Sequence, residues 1–209
     1  MNAENAPAIS PVKLLLIAAA TMLAASLFLP LWCTELEAPQ YHGEDKVVVT
    51  VYPGRVTGNI REVQTLNQYI GVRLPLDAPE LRMLPWALGG FLALTLGTVF
   101  LPSGLQKKAA IANFIIMAIG GMAGAASLQY RLYQLGHERT HSIMRGIQNF
   151  TPPILGSLRL ANFHIETELQ IGGWAFALAI VLTGVAIYLS YRESTQSPSI
   201  SLLNRSPAV

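Results

Sequence analysis

The chain has 209 residues, 52% of them hydrophobic and 12% charged, with a formal net charge of +2. A soluble domain carries about a quarter charged residues, so this composition excludes an ordinary soluble globule, a disordered chain and a coiled coil. The small net charge, with no basic stripe, excludes nucleic acid as a partner. The single cysteine, Cys33, excludes an intrachain disulfide and any multi-cysteine metal centre.

Four stretches have the length and apolarity of membrane helices. The first covers residues 12–32, with Pro11 suited to a helix start, Lys13 its only nearby charge and Pro30 closing the run. Pro30, Leu31 and Trp32 stand where a signal peptide would carry small residues, so an uncleaved anchor is expected. Residues 33–83 then form the first long loop. Within it KVVVTVY, residues 46–52, is β-branched and reads as a strand. Pro53-Gly54 marks a turn, residues 55–57 a short return strand, and Gly58 its end. Asn59 and Glu62 have capping-box spacing ahead of a helix whose one face is Ile60, Val63, Leu66, Asn67 and Ile70. Gly71 ends that helix, and Pro75, Pro79 and Pro85 imply an extended path back to the membrane.

The second span is residues 84–102, with Pro85 at its start and Pro102 at its end. A tight turn, residues 103–108, carries Lys107 and Lys108. The third span, residues 109–135, holds Gly120 and Gly124 as a small-residue pair, which implies close helix packing within the bundle or, less favoured, a dimer face. Residues 136–170 form a second long, irregular loop, in which Gly136-His137 interrupts the third span and Phe150-Thr151-Pro152-Pro153 forces extended backbone. Its apolar residues Phe150, Ile154, Leu155, Leu158, Leu160 and Phe163 argue for docking on the first loop. The fourth span is residues 171–191, with Trp174 at the interface, followed by the tail 192–209. The fold class expected is an all-α membrane protein: four transmembrane helices with a small α+β extracytoplasmic cap.

Lys13, Lys107, Lys108 and Arg192 all fall on one side of this topology. Short-loop Lys and Arg mark the cytoplasmic side, so both termini are expected inside and both long loops outside. Of the 12 acidic residues, all but Glu4 and Glu193 lie in those two loops. No span centre carries a charge, which argues against a proton or ion path through the bilayer.

Several short runs occur in a telling order: Ala38-Pro39-Gln40-Tyr41, Leu66-Asn67-Gln68-Tyr69-Ile70-Gly71, Tyr133-Gln134-Leu135-Gly136-His137, Phe150-Thr151-Pro152-Pro153-Ile154-Leu155-Gly156 and Asn162-Phe163. Together they resemble a family of small four-span bacterial inner-membrane proteins that read A-P-Q-Y-P, L-N-H-Y-I-G-M, Y-x-Y-G-H, F-T-P-P-x-x-G and N-F at these places. The resemblance implies an inner-membrane protein that accompanies periplasmic copper-handling and nitrous-oxide-reductase-type maturation proteins. Three positions depart from the pattern. Gln68 stands for a histidine, Val72 for a methionine, and Glu138-Arg139-Thr140-His141 for an acidic-Leu-Asp-Pro run.

Three functional classes follow. The first is a non-catalytic accessory protein whose outer cap binds a membrane or periplasmic protein partner or a ligand through Gln40, Tyr41, Asn67, Tyr69 and Gly71. Asn67 is an amide on a mainly apolar helical face and needs a partner if buried, and tyrosine anchors interfaces; both residues equally well lock the two loops together. The second is a copper- or haem-binding electron-transfer or oxidase-like subunit. His137 and His141 are four apart and share a face if the helix continues, with Cys33 and His42 as more remote ligands; the plainer reading is a hydrogen-bonded His137, an exposed His141 and a buried thiol. The third is a transport component. No nucleophile elbow, zinc-protease helix motif, phosphate loop or dinucleotide fingerprint occurs. The acidic cluster of Glu35, Glu37, Glu44 and Asp45 reads as a solvated loop.

Overall fold

A computed structural model describes residues 10–37, 46–70, 79–137, 150–160 and 163–203. The elements are α1 (Pro11–Phe28), β1 (Trp32–Glu37), β2 (Val47–Tyr52), β3 (Arg55–Gly58), α2 (Ile60–Ile70), α3 (Pro79–Phe100), α4 (Ser103–His137), β4 (Gly156–Leu160), β5 (Phe163–Leu169) and α5 (Ile171–Leu203). The helices α1, α3, α4 and α5 are long and apolar enough to cross a membrane, as the sequence indicates.

Two apolar clusters fill the bundle. Val12, Leu16, Val99 and Ala186 form one. Ala19, Leu23, Met117 and Ala179 form the other, with Phe91 and Phe176 packed against it. The outward faces are also apolar: Trp86, Phe100, Ile119, Met122 and Val181 are all exposed. A helix apolar all round suits hydrocarbon, where outer side chains meet lipid rather than water. Small residues bring the helices close, since a Cβ on Gly120 would lie 2.6 Å from the Phe91 ring, and one on Gly121 3.1 Å from Phe176. The glycine pair therefore packs within the bundle at Gly120, whereas a Cβ on Gly124 would meet nothing within 4 Å.

Several element limits differ from the sequence reading. Helix α3 begins at Pro79, five residues before the expected span, and Pro85 lies inside it. The early turn carries Glu80 and Arg82, which read as loop; Glu80 is accommodated because Arg131 of α4 meets it. The turn expected at 103–108 is helical from Ser103, which leaves Leu101-Pro102 as the link. There Leu105 and Gln106 donate their N–H groups to the Pro102 carbonyl, and the Gln106 amide bonds the last carbonyls of α3 at Thr98 and Val99. Gly136 does not interrupt α4, which runs 35 residues to His137. At 1.5 Å per residue that is about 50 Å, well beyond a ~30 Å hydrocarbon core. Likewise α5 continues past the fourth span to Leu203.

The second loop is not irregular throughout. It supplies β4 and β5, and the sequence 33–37, read as acidic loop, is strand β1. The five strands form one antiparallel sheet in the order β3-β2-β1-β5-β4. The docking of the second loop on the first is therefore real, and it takes the form of the β1–β5 ladder from Trp32↔Leu169 to Glu37↔His164. The β2–β3 hairpin turns at Pro53-Gly54 as expected, with Gly54 at φ 77°. Asn59, read as a helix cap, instead accepts the Val48 N–H at its side-chain oxygen, while its backbone carbonyl accepts from Val63.

Cap and bundle are joined most closely at the base of β1 and β5. Central strands β1 and β5 run directly into α1 and α5. Gly172 donates its N–H to the Pro30 carbonyl at 2.8 Å, Gln170 donates to Leu31 at 3.1 Å, and the Ser26 hydroxyl donates to Gly172 at 2.9 Å. A Cβ on Gly172 would sit 2.7 Å from the Leu29 oxygen, so only glycine permits this approach. Trp174 beside it is exposed, as an interfacial anchor should be.

Candidate functional site

Strand alternation gives the cap two unlike faces. Leu36, Val47, Val49, Val56 and Ile165 point to one side and pack with Val63 of α2. The registers place Cys33, Glu35 and Glu37 of β1 on the other side, beside Glu168, Glu166 and His164 of β5. Arg159 and Ser157 of β4 and Thr50 and Thr57 of β2 and β3 join them. Glu35 and Glu166 are directly opposed, an unfavourable like-charge pair. Each has its own counter-group: Lys46 Nζ lies 3.6 Å from Glu35, and His164 Nε2 lies 2.9 Å from Glu166. Glu35 and Glu37, assigned to a loop, are thus part of a strand-borne stripe; Glu44 and Asp45 lie outside the described residues.

On the apolar side, the Phe150–Gly156 run crosses between the sheet and α4. The Trp32 indole N–H donates to the Ile154 carbonyl at 2.6 Å. The buried Thr167 hydroxyl lies 3.0 Å from the carbonyls of Pro153 and Gly156. Gln129 of α4 donates to the Pro152 carbonyl, and the Phe150 carbonyl lies against Gly136, where any side chain would collide with it. The two prolines remove donors that this extended crossing has no ladder to pair. This motif therefore ties α4 to the cap.

Cys33 is buried at 5% exposure, its sulfur 3.7 Å from the Thr50 hydroxyl. Burial pushes its thiol pKa up; the Thr50 hydrogen bond acts the other way, and Glu35 and Glu168 add to the rise. It is a protonated, packed thiol. His137 ends α4 with its ring stacked on Tyr133 at 3.9 Å between centroids, and its Nδ1 is 2.9 Å from the Tyr133 carbonyl. Asn67 and Tyr69 fall in the last turns of α2. Gln40, Tyr41, His42, Gly71 and His141 lie outside the described residues. Among the described residues no three His, Cys, Asp or Glu side chains gather as a metal centre.

Strand β2 is paired on both sides, by β1 and β3. Among the described residues the outer strands are β3 and β4.

Polar residues inside the bundle escaped the sequence reading, which searched the spans for charges alone. Thr95 and Asn113 are buried between the two apolar clusters, and the Asn113 amide donates to the Thr95 hydroxyl at 2.9 Å. Thr95 and Thr183 turn their hydroxyls onto carbonyls four residues back, at Phe91 and Ala179. The Asn113 oxygen has no partner among the described residues.

No protein-family model and no curated protein matches the chain.

Proposed function

We propose that the chain is a non-catalytic accessory protein of the bacterial inner membrane, with both termini cytoplasmic. It holds an extracytoplasmic protein partner on the polar face of its sheet. The observation that supports this reading is the division of the cap: one face is filled by α2 and the Phe150–Gly156 crossing, while the opposite face leaves its carboxylates, His164 and Arg159 half-exposed or exposed. A core needs only the first face. The second is a rigid presentation of paired carboxylates, a histidine and an arginine on strands that grow straight out of α1 and α5. The setting, maturation of a copper protein, rests on the motif resemblance alone.

Photo-crosslinkers placed at Ser157 and Thr57, in the native membrane, test the reading. Adducts to one extracytoplasmic partner are expected there and not from lipid-facing Val181. No adduct from either polar-face position, with the protein well expressed, overturns it. Stoichiometric copper or haem in the purified protein, lost in His137→Ala, would replace it with the electron-transfer reading.

A further inference from the structure

The ladder pattern of the cap leaves main-chain groups unpaired along β4. Residues of an antiparallel strand alternate, one bonding the neighbour on one side and the next turning its N–H and C=O to the other. The Gln170 N–H donates to the Leu31 carbonyl, so Glu168, Glu166 and His164, at two-residue steps from it, bond β1. Thr167, Ile165 and Phe163 therefore bond β4, where they face Gly156, Leu158 and Leu160. Ser157 and Arg159 are left with N–H and C=O turned out of the sheet. Both are exposed, and among the described residues no hydrogen bond reaches either. The other outer strand is cut short: β3 ends at Gly58, whose φ of 111° turns the chain towards α2.

Arg159 also stands apart by charge. It lies on the polar face, opposite His164. On that face Lys46 meets Glu35, His164 meets Glu166, and Arg55 lies over the Tyr52 ring. Among the described residues Arg159 alone of these cations meets neither a carboxylate nor a ring. An open edge is a template for another strand; its main-chain bonds supply affinity, and alternate side chains supply choice. A residue opposed to Arg159 across such a ladder would stand about 5.5 Å away between Cα atoms, on the same face. A carboxylate there answers the guanidinium. Opposite Ser157 it would instead approach Glu166, so charge also sets the register. The outer strands of a second copy, RVTG and GSLRL, carry no carboxylate, so the complement is a different chain.

We propose that the outer edge of β4 receives an extended segment of the extracytoplasmic partner as a sixth strand. That segment carries an aspartate or glutamate opposite Arg159 and an apolar side chain beside Leu158, on the other face. The inference rests on the partner reading above and adds to it how the partner is held and by what kind of segment.

Proline at an outward-facing position removes a donor that the β4–β5 ladder does not use, so it blocks an added strand and spares the sheet. In the full chain in its native membrane, Ser157→Pro is read through a photo-crosslinker at Thr57, and Arg159→Pro through one at Ser157. Each should lower the partner adduct at least about tenfold; either variant carries the test if the other does not fold. Arg159→Gln keeps the edge amide and should lower the adduct about two- to fivefold, the loss of an exposed ion pair. The partner segment captured from Ser157, read by mass spectrometry, should hold an aspartate or glutamate within about three residues of the attachment. An undiminished adduct in a folded proline variant overturns the strand addition and leaves the partner reading standing. An undiminished adduct in Arg159→Gln, or a captured segment without a carboxylate, overturns the charge assignment. No adduct from either position in the otherwise unaltered chain overturns the partner reading and this inference together.

Discussion

The Thr95–Asn113 pair allows a stability prediction whose size depends on which partner is removed. The Asn113 amide makes one hydrogen bond, to Thr95, and its oxygen is buried without a donor among the described residues. Thr95→Val keeps the shape of the side chain but strands the amide N–H as well, leaving both ends of Asn113 unpaired in a dry bundle. An unsatisfied buried polar group costs about 1–3 kcal/mol. Asn113→Leu keeps the branch at Cγ and removes the donor and the orphaned oxygen together, while Thr95 keeps its bond to the Phe91 carbonyl. The hydrogen bond lost is worth about 0.6 kcal/mol inside a membrane protein, and the relief of the orphaned oxygen offsets it. Thr95→Val should therefore destabilise by about 1–3 kcal/mol, and Asn113→Leu by less than about 1 kcal/mol.

Reversible unfolding in bicelles, followed by steric trapping, measures both. The double variant should resemble Asn113→Leu alone, because Thr95→Val does its harm only through the amide. That non-additivity is the signature of a shared contact. The reasoning fails if Asn113→Leu is the more damaging variant, or if the two effects simply add.

Other outcomes follow from the same structure. Gly172→Ala places a Cβ against the backbone oxygens of Leu29 and Pro30 and should cost about 1–3 kcal/mol. Gly97→Ala, where a Cβ meets nothing within 4 Å, should be neutral or slightly stabilising; thermal unfolding in detergent compares them. Cys33 should alkylate slowly at pH 8, since burial raises its pKa and only the thiolate reacts. Thr50→Val removes the hydrogen bond that lowers that pKa, so the pH–rate midpoint should move higher; a move downward would refute the assignment. A reporter active only outside the cytoplasm should be active when fused after Gly58 and silent after Gly104, and the reverse would invert the orientation.

The four spans were legible because lipid demands a long uninterrupted apolar run, and composition alone reveals one. Their ends were not, because the sequence reading treated charge as the end of a helix. Glu80 and Arg82 looked like loop, yet Glu80 sits in a helix whose partner, Arg131, is 51 residues away. A pairing at that separation leaves no local trace. Strand β2 announced itself by valine repetition, whereas β1 did not, since half of WCTELE is polar. Its strand state comes from being held between β2 and β5, again a non-local cause. Gly136 was misread for a related reason: a glycine near a helix end resembles a stop, but here its missing side chain admits the Phe150 carbonyl. Asn113 gave no signal of this kind, being uncharged, yet it is nearly as demanding as a charge once buried.

These misreadings share a consequence for how the cap can act. Two places couple cap to bundle: Gly136 and Phe150, which the sequence assigned to a loop, tie α4 to the crossing, and Gly172 with Pro30, which it assigned to spans, ties α1 to α5 at the base of the sheet. A partner pulling on β1 or β5 would load α1 and α5 directly, since strand and helix are continuous and cross-bonded there. Among the described residues it would load α4 through Gln129 and the packing of Phe150 on Gly136. Helix α4 is also the one with a fully exposed stretch, at residues 122–126. Any motion transmitted from the cap should thus appear as a shift of α4 against a fixed α1–α5 pair. Gly136→Ala tests the coupling: it should loosen the crossing and raise amide exchange in residues 150–156 while leaving α1 and α5 protected. Equal exchange increases in all three segments would show that the cap and bundle move as one unit.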